Sequence, residues 1–279
     1  MTEKNILIAG LPDAGKSSYI AALNGVMNQE GDFSLSPADG NKTEWKYVDA
    51  MTEKWLDCKE VDHSTDDETK FITWPLKRKD GQVFVITIPD MKGEIYYDII
   101  NNELDSKLTK FCEQAHGILF FVNNMNRFLL KDHVMTLVKD EENGVKEGNK
   151  GQTGLTDEME RIRLNVSTMP DVTKNLLVLR YLRQIVGNVK LVIAVSSWDE
   201  RQGYSDVEDY LKKIYPAIYN YVRFNFDSYK FYGVSAQGVK YGKQDASFNK
   251  LTETGKRAYV FTNEKIYDLS HPLDFLISE

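Results

Sequence analysis

Short unbroken apolar runs alternate along this chain with stretches in which apolar residues recur every three or four positions. The first kind reads as buried strand, the second as the inner face of a helix. "NILIA" (Asn5–Ala9) is a strand by this reading, and Tyr19, Ile20, Leu23, Val26 and Met27 mark a helix after Ser17. A polar stretch carrying Trp45 and Trp55 then runs to about residue 70. Residues 71–90 ("FITWPLKRKDGQVFVITIPD") predict a hairpin, because Asp80-Gly81 is a strong two-residue turn signal between two strands. Ile100, Leu104, Leu108 and Phe111 fall on one face of a helix. "GILFFVN" (117–123) is a strand, and Leu176, Leu179, Leu182 and Val186 mark a helix whose leucines pack in the core. "KLVIAVS" (190–196) is a strand, 207–222 a helix with Tyr210, Leu211, Ile214, Ile218 and Val222 inward, and "YKFYGVS" (229–235) the last strand. The aromatic part of that last helix either packs on the sheet or presents a face to a partner. A polar tail follows and ends in the apolar segment "PLDFLIS".

Strands alternating with helices predict an α/β fold: a three-layer sandwich with a mostly parallel sheet covered on both faces. The hairpin adds one antiparallel edge strand. With no internal repeat and no linker, residues 1–279 read as a single domain. Residues 139–156 are polar and glycine-rich and read as an exposed insertion reaching to about 170, and 239–279 as a C-terminal extension.

Composition narrows the function classes. Apolar residues are 42% and charged residues 28%, as expected of a soluble globular protein. The net charge of −7 leaves no basic excess for a nucleic-acid backbone, so no direct nucleic-acid partner is expected. The two cysteines, Cys58 and Cys112, form no CxxC, and His63, His116, His133 and His271 form no spaced cluster. Neither a disulfide framework nor a zinc site is implied, which fits a reducing compartment. No apolar run approaches the roughly 18 residues of a membrane helix, and the N-terminus lacks a signal-peptide core. The expectation is a cytoplasmic protein without membrane insertion.

The chemistry begins at "GLPDAGKSS". Gly10–Ser17 fits G-x-x-x-x-G-K-[ST], the P-loop, in its required setting of strand, loop and helix. Glycines let the backbone approach an anion, successive N–H groups wrap a β-phosphate, and the helix N-terminus adds its dipole. Lys16 reaches the β- and γ-phosphates, and the Ser17 hydroxyl ligates Mg²⁺. The nucleotide-binding set at this end is Gly10, Asp13, Ala14, Gly15, Lys16, Ser17 and Ser18.

Three further blocks follow in order. "IPDMKGE" carries Asp90 and Gly93, "VSSWDE" carries Asp199, and "FYGVSAQG" carries Ser235, Ala236 and Gln237. With the P-loop they resemble a Ras-like GTPase of the translation-factor-related class. The blocks, together with the final "HPLDFLI", are most similar to the bacterial double-GTPase family of the first type, and the likeness spans nearly the whole chain. The resemblance implies that Asp90 binds Mg²⁺ through a water and that the Gly93 N–H meets the γ-phosphate and moves when it leaves. It implies that Asp199 takes the N1 and N2 donors of guanine as a pair, a polar recognition that rejects other bases. Ser196 and Ser197 stand where Asn or Thr and Lys are expected, and Gln237 where Lys is. Trp198 is either a substitute stacking surface for the base or a core residue. The Ala236 N–H meets guanine O6.

The same likeness implies a switch threonine that ligates Mg²⁺ just before the antiparallel strand: Thr69, or alternatively Thr65. Glu94 follows Asp-x-x-Gly where Ras-like enzymes place Gln, and it either accepts a proton from water or caps the following helix. The expected catalytic set is Lys16, Glu94 and Thr69, and the metal set Ser17, Thr69 and Asp90. The expected function is a GTPase that binds GTP and GDP with Mg²⁺ and acts as a switch, slow without a partner's arginine. Its expected partners are a second GTPase or an effector in a bacterial conflict or anti-phage system. A non-hydrolysing, nucleotide-bound scaffold is the alternative. A P-loop ATPase or kinase would leave Asp199 and Ser235-Ala236 without a role.

Overall fold

A computed structural model describes residues 2–29, 31–61, 69–90, 95–101, 103–104, 106–123, 169–201, 203–238 and 257–278. In chain order the described elements begin with β1 (Thr2–Gly10), α1 (Lys16–Met27), β2 (Leu35–Pro37), α2 (Trp45–Leu56), β3 (Lys70–Arg78) and β4 (Val83–Asp90). Then come α3 (Ile95–Asn101), α4 (Ser106–Glu113), β5 (Gly117–Val122), α5 (Asp171–Val186) and β6 (Lys190–Ser196). A single turn at Trp198–Glu200 precedes α6 (Val207–Ile214), α7 (Pro216–Asn225), β7 (Tyr229–Ser235), β8 (Tyr259–Phe261), β9 (Lys265–Ile266) and α8 (His271–Ile277).

The strands form one sheet in the order β2-β3-β4-β1-β5-β6-β7-β8-β9. Its centre, β4-β1-β5-β6-β7, is parallel throughout. The antiparallel part is larger than one edge strand. β2 and β3 flank one side, and β8 and β9 extend the other. Two of these strands span only three residues and one only two, too short for a period to show.

Side-chain alternation builds the two outer layers. Ile6 and Ile8 of β1 and Leu119 and Phe121 of β5 face α1, α2 and α8. Leu7 and Ala9 of β1 and Ile118, Phe120 and Val122 of β5 face α3 to α7. This is the expected three-layer sandwich. The segment read as an extension is described from Arg257 to Ser278 and takes part in both the sheet and the core through Val260, Leu273 and Leu276. Its Asp268 and Ser270 accept the N–H groups of Ser34 (2.7 Å) and Leu35 (2.9 Å), and the Tyr19 hydroxyl donates to the Leu269 carbonyl at 2.6 Å.

Three local expectations change. The β3–β4 connection has three loop residues, because Arg78 N donates to Gln82 O (2.9 Å) and Gly81 N to Arg78 O (3.0 Å). Gly81 supplies the left-handed residue, φ +89°, that such a turn ends on. The helix predicted through 100–111 is two helices. The Glu103 N–H closes α3 onto Asp98 O (2.7 Å), in a stretch of the sequence rich in Asn and Asp, residue types that favour helix ends over helix interiors. The helix predicted over 207–222 breaks at Tyr215, φ −130° and ψ 55°, because Pro216 crowds the residue before it and starts α7. The polar stretch to residue 70 also contains β2 and α2. Among the described residues no helix is long and apolar enough to cross a membrane.

Candidate functional site

The parallel strands all end on one edge of the sheet, where open α/β sheets bind their ligands. β1 runs directly into the P-loop. Gly10 has φ +145°, and a Cβ there would lie 2.5 Å from the Phe121 carbonyl oxygen, so only glycine lets β1 and β5 approach this closely. Asp13 takes φ +58°, which residues other than glycine seldom adopt. The turn is held from two neighbouring strand ends. Asn123, just after β5, donates its amide to the Asp13 carbonyl at 2.7 Å. The Ser196 hydroxyl, at the end of β6, donates to the Ala14 carbonyl.

Lys16 folds back over the loop. Its Nζ donates to the Gly10 and Leu11 carbonyls, both at 2.9 Å, and lies 4.9 Å from the centre of the Tyr96 ring. Lys16 is 8% exposed. Burial pulls its pKa down to about 8, against the opposing pull of Asp90 and Asp13.

A cavity of about 280 Å³ joins this loop to the ends of β6 and β7. Asp13, Ala14, Gly15, Lys16, Ser17 and Ser18 line one end; Ser197, Asp199, Ala236 and Gln237 line the other. Ser197, at φ +50°, turns the chain so that Asp199 comes back toward β7. There Ser235 Oγ donates to Asp199 Oδ1 at 2.7 Å and accepts the Gly238 N–H at 3.1 Å. Burial, with the Asp199 charge added, pushes the nearby Tyr259 phenol up to about 12. Gln237 is 8% exposed, and its amide nitrogen and oxygen have no hydrogen-bond partner among the described residues.

Trp198 corrects one of its two readings. It is 5% exposed, stacks on Phe261 at 5.3 Å and meets Tyr210 edge-on at 5.5 Å. It is not among the residues lining the cavity, because its ring lies flat against Gly233, where a Cβ would come within 2.3 Å. Trp198 is core.

Asp90 ends β4, 3% exposed, and accepts a hydrogen bond from the Tyr47 hydroxyl at 2.5 Å. Thr69 precedes Lys70, whose register partner is Asp90, so its backbone emerges at the same end of the sheet. Neither Thr69 nor Asp90 lines the cavity directly. Gly93, Glu94 and Thr65 lie outside the described residues, as does the segment from 139 to 168. Among the described residues no group of three or more His, Cys, Asp or Glu side chains forms a metal cluster.

Sequence reasoning missed several neighbours of this site. Asn123 could have been found as the first residue after a parallel strand beside the P-loop. Glu60 and Val61, which wall the cavity, and Tyr47, which reaches Asp90, belong to a stretch read only as polar.

Residues 7–276 match the family described as Double-GTPase 1. No curated protein matches the chain. Among solved structures, the GDP-bound RocCORdC unit of Methanosarcina barkeri Roco2 is similar at 13% identity and a TM-score of 0.35, over 94% of this chain and 53% of that one. The chain therefore spans about half the length of that structure. The G domain of the T. maritima FeoB iron transporter is similar at 12% identity and a TM-score of 0.37, over 90% of this chain and 96% of that one. Both likenesses are loose, and the strand order itself carries the fold.

Proposed function

The chain belongs to the Double-GTPase 1 family, and on that premise we propose that it is a GTP-binding switch that hydrolyses GTP to GDP with Mg²⁺. One observation carries the reading: a single cavity has the P-loop at one end and Asp199 with Ala236 at the other. The P-loop amides and Lys16 hold the phosphates, with Lys16 exchanging the Gly10 and Leu11 carbonyls for phosphate oxygens. Asp199, fixed by Ser235, takes the paired donors of guanine, and the Ala236 N–H meets its O6. Gln237, where lysine is expected, brings to the same end an amide with no hydrogen-bond partner among the described residues.

The oxygen donors fit Mg²⁺, a hard ion usually held by one or two carboxylates plus phosphates. Ser17 lines the phosphate end, and Asp90 is a buried carboxylate close enough to raise the Lys16 pKa. Ser17, Thr69 and Asp90 would hold the ion, whose chemistry here would be to offset negative charge at the phosphate end. Glu94 and the Gly93 N–H act at the γ-phosphate. Among the described residues no arginine lines the cavity; in this reading a partner's arginine accelerates hydrolysis, by roughly 10³–10⁵ in rate. We read residues 1–279 as one G domain, working in the cytoplasm beside a second GTPase or an effector in bacterial conflict.

The test is nucleotide identity by mass in protein purified without added ligand, followed by titration with GDP, GTP and ATP. GDP or GTP in the purified protein, with ATP excluded, is the expected result; equal binding of ATP would overturn it. Single-turnover hydrolysis with Mg²⁺ then separates switch from scaffold, since no phosphate released over hours would leave only a nucleotide-bound scaffold.

A further inference from the structure

α2 meets both ends of the site. In its first turn the Tyr47 hydroxyl donates to Asp90 Oδ2 at 2.5 Å. Near its last turn, Trp55 Nε1 donates to the Ala236 carbonyl at 2.7 Å. About 12 Å of helix axis separates the two residues. One bond holds the carboxylate assigned to the metal end. The other holds the carbonyl of Ala236, the residue whose own N–H is assigned to guanine.

The helix between them is fixed on three sides. Val48, Met51 and Trp55 are buried in the core beneath it. Asn24 of α1 donates to Thr52 Oγ1 at 2.9 Å, which ties α2 to the helix that starts at Lys16. Arg257 lies 3.8 Å over the Trp55 ring and donates to the Trp55 carbonyl and, at 3.3 Å, to the Leu56 carbonyl. A cation there meets the free carbonyls and the negative end of the helix dipole. At the other end the Lys70 ammonium sits 4.0 Å from the Tyr47 ring, and Lys70 pairs with Asp90 across β3 and β4. Asp90 is 3% exposed, and a carboxylate this buried needs a donor such as the Tyr47 hydroxyl.

We propose that α2 is a strut coupling the two ends of the nucleotide cavity, with Tyr47 the positioning residue that aims Asp90 and Trp55 the residue that fixes the Ala236 loop. The proposal rests on the GTP-binding reading above. A helix held this way moves as one piece, so a displacement of Asp90 that draws Tyr47 with it strains the Trp55–Ala236 bond. The base loop thereby senses the state of the metal end.

Two measurements on the full chain test this, using Tyr47→Phe, which removes one oxygen and keeps the ring. Hydrogen exchange of residues 236–238 in nucleotide-free protein is expected to rise about fivefold in Tyr47→Phe, although the change lies at the far end of α2. GDP affinity is expected to fall about tenfold in Mg²⁺ and to stay within about twofold in EDTA. A purely structural role for Tyr47 would lower both affinities together. Unchanged exchange at 236–238, or an equal loss in Mg²⁺ and EDTA, overturns the strut. Should Tyr47→Phe melt early, Trp55→Phe reads the same coupling from the other end, as raised exchange near Asp90. A wild-type chain that binds no guanine nucleotide sinks the GTP-binding reading instead, while the exchange experiment still decides whether α2 couples the two ends.

Discussion

The phosphate end and the base end of the cavity are built in opposite ways. The phosphate end is eight contiguous residues whose chemistry lies in the backbone, with a lysine that is satisfied by the loop's own carbonyls. The base end is assembled from residues 36 apart in sequence, Asp199 and Ser235, and the Ala236 loop is held from behind by Trp55. A local motif tolerates change elsewhere. A composite one depends on every segment that braces it. Affinity for nucleotide and choice of base should therefore respond to different substitutions.

The sharpest break is Asp199→Ala. Two hydrogen bonds to a charged group, each worth about 1.5–3 kcal/mol, should vanish from GDP alone. GDP affinity is expected to fall on the order of 10³-fold with ADP affinity held within about twofold, by equilibrium titration. A parallel loss of both nucleotides would show that the two ends are not separable. Lys16→Ala should do the reverse, costing GDP and ADP alike roughly 100-fold, one charged contact's worth. Alkaline pH should imitate that substitution in weaker form. The free Lys16 pKa lies at about 8, and phosphate raises it in the complex, so binding takes up a proton above pH 8. GDP affinity should then drop about tenfold from pH 7 to 9. Asp199→Asn should keep this slope and Lys16→Arg should flatten it; a slope that survives in Lys16→Arg assigns the proton elsewhere. The smallest effect is Ser235→Ala, which removes one donor to Asp199 and the acceptor for Gly238. It should weaken GDP about fivefold and leave ADP unmoved, a difference that competition binding resolves.

Legibility in the sequence follows the same division. The P-loop and the parallel core strands were legible because each is a short contiguous pattern with one physical reading. α2 was legible in principle: Val48, Met51, Thr52 and Trp55, its buried residues, stand at helical spacing. Their dilution among lysines and acids in "KTEWKYVDAMTEKWL" hid them. Pro216 announced a helix break that the apolar stripe running across it obscured. Trp198 offered two roles, and only packing against Phe261 and Gly233 chooses between them. Arg257 could not be found at all, since its partners Trp55 and Leu56 lie about two hundred residues away and nothing local marks the pairing.

The bonds from Tyr19, Ser34 and Leu35 to Leu269, Asp268 and Ser270 join residues more than 230 positions apart. Bringing such ends together carries a loop-closure entropy, and chains dominated by distant pairings fold slowly. The first helix, which carries Lys16, therefore reaches its final packing only when the segment around Leu269 docks on it. A nascent chain released before that segment is made would keep the P-loop sequence yet lack the clamp on the helix behind it.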